Sequence, residues 1–159
     1  ESARLQLFAV GAYQLAEMER ALARLERADV ATSLFVIQEP GKLREARDEG
    51  EASAVLSQCR LSTLVPDVPA RVFLGHCRPE PLAGVLRPLD TGPRSRFLGY
   101  RNRGGTLDTF GMLFANGATW AHVLEAASEV AGLDLDALLG PEEQAALAGE
   151  GDPEVLRHP

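Results

Sequence analysis

The chain has 159 residues, 45% of them apolar and 25% charged, with a formal net charge of −7. These values describe one ordinary globular domain, and the lack of any run of about 18 apolar residues excludes a membrane-spanning helix. The acidic balance, with the basic residues gathered into one small patch, excludes a duplex-sized nucleic-acid surface.

The opening ESARLQLFAV lacks the basic start and apolar stretch of a signal peptide, so the expected location is the cytoplasm. Leu5 to Val10 is a short apolar run closed by Gly11 and reads as a buried strand. Tyr13 to Ala28 reads as a helix, with Leu15, Met18, Leu22 and Leu25 on one face and Glu17, Arg20, Arg24 and Arg27 on the other. Val30 to Ile37, rich in β-branched and apolar residues, is the next strand, completing a βαβ unit with a right-handed crossover. Pro40 and Gly41 break the polar stretch that follows, which holds a short helix from Glu51 to Arg60. Arg71 to Gly75 reads as the third strand. Pro79 to Leu89 is a short helix opening on proline, and Arg96 to Tyr100 is the fourth strand. Thr119 to Ala131 is the last clear helix, with Trp120, Val123, Leu124, Ala127 and Val130 facing inward and Gly132 ending it. Seven acids (Asp134, Asp136, Glu142, Glu143, Glu150, Asp152, Glu154) stand against Arg157 after Leu133. A short helix from Glu142 to Leu147 and then a mobile tail are expected there. The organisation is thus an α/β domain over residues 1–140, with a mostly parallel sheet covered on both faces, and an acidic tail over 141–159.

The densest chemistry lies between Arg94 and His122. Arg94, Arg96, Arg101 and Arg103 fall within ten residues with no acid between them. Glycine turns freely into left-handed conformations, so the amides around Gly104, Gly105 and Thr106 are candidates for a concave anion site. The cluster reads either as solvated surface with ion pairs or as an anion site or oligomer contact. All but one of the basic residues are arginine, Lys42 being the exception, which weighs against reading arginine counts alone.

Other chemistry is excluded. The chain has no Walker A sequence, no GxGxxG fingerprint and no GxSxG elbow. Cys59 and Cys77 lack CxxC spacing and read as free thiols of a reduced compartment. His76, His122 and His158 lack metal-ligand spacing. At a strand end His76 and Cys77 point to opposite faces, so they form no dyad. His76 stands where open α/β sheets place ligands, and reads either as a structural hydrogen bonder or as part of a site. His122, off the apolar face of its helix, is expected to be exposed or at an interface.

The block Gly99-Tyr100-Arg101-Asn102-Arg103-Gly104-Gly105-Thr106, followed by Phe110, Met112, Asn116 and His122, resembles the C-terminal domain of the phosphoketolases. The match runs without gaps from Gly99 to His122. Phe73 and His76 resemble the end of that family's Phe-His-Gly strand. Ala9 and Gly11 resemble the A-x-G strand end that opens this domain in transketolases and phosphoketolases. The chain departs at Cys77, where the family has glycine, at Gly111, where it often has an acid, and in a threonine run reduced to Thr106 and Thr109.

The resemblance implies a small sheet of about five strands, mostly parallel with one antiparallel, flanked by helices. It implies the C-terminal domain, or a detached small subunit, of an enzyme that cleaves ketose phosphates or related ketol donors. In such enzymes thiamine diphosphate and magnesium are held by other domains at a dimer interface. The GDG motif that binds them is missing from this chain, so neither cofactor nor catalytic residue is expected here. The expected partners are thiamine diphosphate-binding domains, fused upstream or carried by a separate subunit, in a homodimer of the whole enzyme. His76, Arg101, Arg103, Gly104, Gly105, Thr106 and Asn116 are the candidate anion- or substrate-binding residues. A stand-alone anion-binding or interaction module is the alternative.

Overall fold

The apolar run at the start of the chain becomes an inner strand. Leu5–Val10 (β1) is buried at every position, as is Ala70–Gly75 (β3), because both faces of the sheet are covered. In the computed structural model, which describes residues 3–103 and 105–159, these strands pair with each other. Thr32–Val36 (β2) and Ser95–Leu98 (β4) flank them, giving the order β2-β1-β3-β4. All pairings are parallel. The described residues thus hold four strands where about five, one of them antiparallel, were expected.

Alternation sorts the strand residues into two cores. Leu5, Leu7, Ala9, Val72 and Leu74 face Ala12–Arg27 (α1) and Trp120–Ala131 (α5). On the opposite face Phe35, Phe8, Phe73 and Phe97 stand at one level of the register and stack in sequence, with ring centroids 5.0, 4.6 and 4.3 Å apart. Leu61 of Gln58–Leu64 (α2) and Leu82 of Pro79–Val85 (α3) cover that ladder. The same face buries Arg71, which donates to Gln6 Oε1 at 2.9 Å and to the Leu89 carbonyl at 2.7 Å. These bonds satisfy a guanidinium that could not otherwise leave water.

Element ends differ from expectation for local reasons. The helix expected over 51–60 starts at Gln58, because the Ser57 side chain caps it. Glu51 is engaged instead by Arg44 and Arg47, which hold its carboxyl down to about 2. The helix expected to reach Leu89 stops at Val85, since Pro88 has no amide to continue it, and Arg87–Leu89 forms a separate 3-10 turn. Thr109–Ala115 (α4), read from sequence only as part of the Arg94–His122 block, is a distinct helix capped by Asp108, which accepts from Gly111 N at 2.7 Å. Beyond Pro141–Leu147 (α6), the acidic tail expected to be mobile forms a 3-10 turn at Pro153–Leu156. Leu156 is fully buried there, and its carbonyl accepts from Trp120 Nε1 at 2.8 Å. No helix among the described residues is long and apolar enough to cross a membrane.

Candidate functional site

Strand order decides where a site can form. From β1 the chain crosses through α1, on one face, to β2. It then returns past β1, through α2 on the other face, to β3. The direction of winding reverses at β1, so the β1 and β3 connections part at the carboxyl ends of these strands and leave a crevice. A cavity of about 290 Å³ lies there, lined by Tyr13 and Gln14 after β1, Gly75 and His76 after β3, Tyr100 after β4, and Leu107, Thr109, Met112, Leu113, Asn116 and Ala118 around α4.

Glycine makes the crevice possible. Gly11 has φ +119°, and a Cβ there would stand 2.4 Å from Gln14 Oε1 and 3.3 Å from His76 Nδ1. His76 is fixed by the end of β1, its amide and its Nδ1 both reaching the Val10 carbonyl, at 3.2 and 3.0 Å. Gly99 lies so close to β3 that a Cβ would stand 2.2 Å from the Cys77 carbonyl oxygen. That contact lets Tyr100 N donate to the same oxygen at 3.0 Å.

The arginine loop is organised by Asn116. This side chain is 3% exposed; its Oδ1 accepts from the amides of Arg101 and Arg103, at 2.8 and 3.1 Å. Its Nδ2 donates to the carbonyls of Arg103 and Met112, at 3.0 and 2.8 Å. All four hydrogen-bonding positions of the amide, two lone pairs and two N–H groups, are thereby used inside the protein. Two of the loop amides that could have turned toward an anion are bound to Asn116 instead. Asn102, in this loop, takes a left-handed conformation (φ 59°). Gly104 lies outside the described residues. Gly105, Thr106 and the side chains of Arg101 and Arg103 are exposed. The structure thus brings His76 and Asn116 into one cavity wall, and places Arg101, Arg103, Gly105 and Thr106 on the outside of the loop.

Of the other arginines, Arg96 pairs with Glu129 at 2.9 Å. Arg101 and His122 line a second cleft with Glu125 and Glu129. His122, expected to be exposed or at an interface, is half-buried within this chain. It meets Thr119 Oγ1 at 2.7 Å and the Phe114 ring edge-on at 5.6 Å. Burial, and then the charge of Arg101, pushes its pKa down to about 4, so the ring is neutral at pH 7.

Gln14 was missed by sequence reasoning. It sits one position from the predicted apolar stripe of α1 and carries no motif, so only the fold of the crevice singles it out. The chain matches no protein-family model, and no curated protein is similar enough to be matched with it.

Proposed function

We propose that this chain is the C-terminal domain, or a detached small subunit, of a thiamine diphosphate-dependent phosphoketolase or transketolase-like enzyme. One observation carries the reading. The strand ends at Gly11 and His76 that bear the resemblance are distant in sequence from Tyr100, Met112 and Asn116 of the Gly99–His122 block, yet they meet at one crevice.

Magnesium diphosphate does not fit this crevice. Magnesium takes hard oxygen ligands, carboxylates above all, and the cavity wall carries no acid. Among the described residues no three His, Cys, Asp or Glu side chains converge into a metal-binding group. The cofactor therefore belongs, on this reading, to the other domains, where it supplies the carbanion chemistry. This chain contributes to dimer assembly and to the approach to the active site. Val36 and Leu64, 50% and 60% exposed, offer apolar surface for packing against those domains.

The test is calorimetric titration of the isolated chain with thiamine diphosphate and magnesium, followed by assay with a ketose phosphate. No saturable heat and no turnover are expected, and the chain purified from its own host should carry a polypeptide that contains thiamine diphosphate. Saturable cofactor binding by the chain alone overturns the reading.

The alternative, a stand-alone anion-binding module, draws on the exposed guanidinium groups of Arg101 and Arg103. Replacing both by Ala should then abolish thermal stabilisation by phosphate and leave the unliganded melt unchanged. An equal loss in both would make the arginines structural.

A further inference from the structure

We propose that the crevice at the start of α1 is a binding site for a small carboxylate. Two independent observations meet there. The first is the helix itself. α1 has 16 residues, begins at Gly11 without a side-chain cap, and its first paired amide is that of Leu15, which donates to the Gly11 carbonyl at 2.9 Å. The amides of Ala12, Tyr13 and Gln14 are left without a protein acceptor among the described residues. They carry the positive end of the helix dipole, about half a charge.

The second observation is Gln14. Its side chain is only 8% exposed, lines the cavity, and makes no hydrogen bond to any described residue. Its amide atoms keep access to the cavity, the wholly buried and unpartnered side-chain polar atom among the described residues being Arg24 Nε instead, so a ligand in the cavity can reach them. The Gln14 side chain lies back over the first residue of the helix, its Oε1 2.4 Å from the position of a Gly11 Cβ. A ligand oxygen placed before the helix would receive both the free backbone amides and the Gln14 NH₂.

Charge and shape choose the ligand. No Lys, Arg, Asp or Glu lines the cavity, so the helix end is its source of positive potential. A helix N-terminus takes phosphate and carboxylate alike, so the wall of the cavity chooses between them. Leu107, Met112 and Leu113 form an apolar wall, which takes the short carbon body of a carboxylate. At about 290 Å³ the space stands at the lower end for ligand sites, about 300–1,000 Å³. This inference is independent of the family reading, because it concerns groups contributed by this chain alone.

The test is a titration of the ¹⁵N-labelled chain with propionate, and in a parallel arm with inorganic phosphate, followed by NMR. Propionate should shift the backbone amides of Ala12, Tyr13 and Gln14 and the Gln14 side-chain NH₂ in a saturable way. The Gln14→Leu variant should melt at about the same temperature without ligand, since the Gln14 side chain makes no hydrogen bond to a described residue. It should bind propionate about tenfold more weakly, the loss of one charge-assisted hydrogen bond. The double variant R101A/R103A should bind propionate unchanged. The proposal is overturned if propionate leaves those amides unmoved, if phosphate alone moves them, or if Gln14→Leu binds as well as the parent.

Discussion

Glu17, on the second turn of α1, caps α5: its Oε2 accepts from the amide of Trp120 at 2.8 Å, across 103 positions of sequence. Its Oε1 accepts from Arg20 at 2.6 Å, and the side chain is almost wholly buried. A carboxylate at a helix N-terminus meets both a free amide and the positive end of the dipole. Glu17→Ala leaves the Trp120 amide buried and unpaired, and should lower stability by about 2–3 kcal/mol in urea unfolding. Glu17→Gln retains an acceptor oxygen and should lose less. Equal losses in the two variants would contradict this account.

Asn116 should be intolerant of a single-atom change. In Asn116→Asp the atom that donates to the carbonyls of Arg103 and Met112 becomes an oxygen facing oxygens. A loss of about 2–3 kcal/mol is expected. Cleavage by trypsin after Arg101 and Arg103 should also accelerate, because the loop loses its pin. Unchanged proteolysis would show that the loop is held by other contacts.

Gly99 and Gly105 make a controlled pair within one motif. A Cβ at Gly99 meets the carbonyl oxygens of Cys77 and Gly75 at 2.2 and 3.1 Å, whereas nothing lies within 4 Å of one at Gly105. Backbone cannot swing aside as a side chain can. Gly99→Ala should cost about 2–4 kcal/mol by forcing the ends of β3 and β4 apart, and Gly105→Ala should stay within about 0.5 kcal/mol of the parent. Thermal melts of the two variants decide it.

His122 makes stability depend on pH. Its pKa falls from the ordinary 6.5 to about 4 in the folded chain, so its contribution is complete above pH 6.5. As pH falls from 6.5 to 4 the unfolded chain binds a proton that the folded chain refuses, and stability drops, by about 2 kcal/mol once partial solvation is allowed for. Urea unfolding at pH 7 and pH 4.5, for the parent and for His122→Gln, isolates the effect from the carboxylates. The parent should lose more stability over that range than the variant.

The acidic tail should behave as part of the core. Deleting residues 152–159 removes the buried Leu156 and the acceptor of Trp120 Nε1. A loss of about 3 kcal/mol is expected. Since Trp120 is the chain's one tryptophan, its fluorescence should shift to longer wavelength.

Much of the fold was legible because it is written in local pattern. The runs Leu5–Val10 and Ala70–Gly75 are too short and too apolar for anything but inner strands of a two-sided sheet. The inward face of α5 followed from 3.6-residue spacing, and all of its expected residues are buried. Glu17 was assigned to the polar face of α1 by the same spacing and proved buried, because periodicity reports polarity and the N-terminus of another helix supplies an amide that only the fold brings near. Within the site, His76 could be placed at a strand end from sequence. Asn116, a candidate anion- or substrate-binding residue by sequence, lies in the crevice wall with its amide spent on the loop backbone, which no spacing rule conveys.

The sequence alone determined the α/β class, the βαβ opening, the glycine that closes β1 and the position of the arginine-rich turn, since each depends on residues within a few turns of one another. The tertiary structure decided the strand order, and with it the crevice between β1 and β3. It also decided that the arginine amides are held by Asn116, and that Gln14 lines the crevice without a hydrogen bond to a described residue. Those outcomes depend on which distant backbone groups arrive beside a side chain, and hydrogen-bond partners separated by a hundred residues leave no periodic trace in either segment.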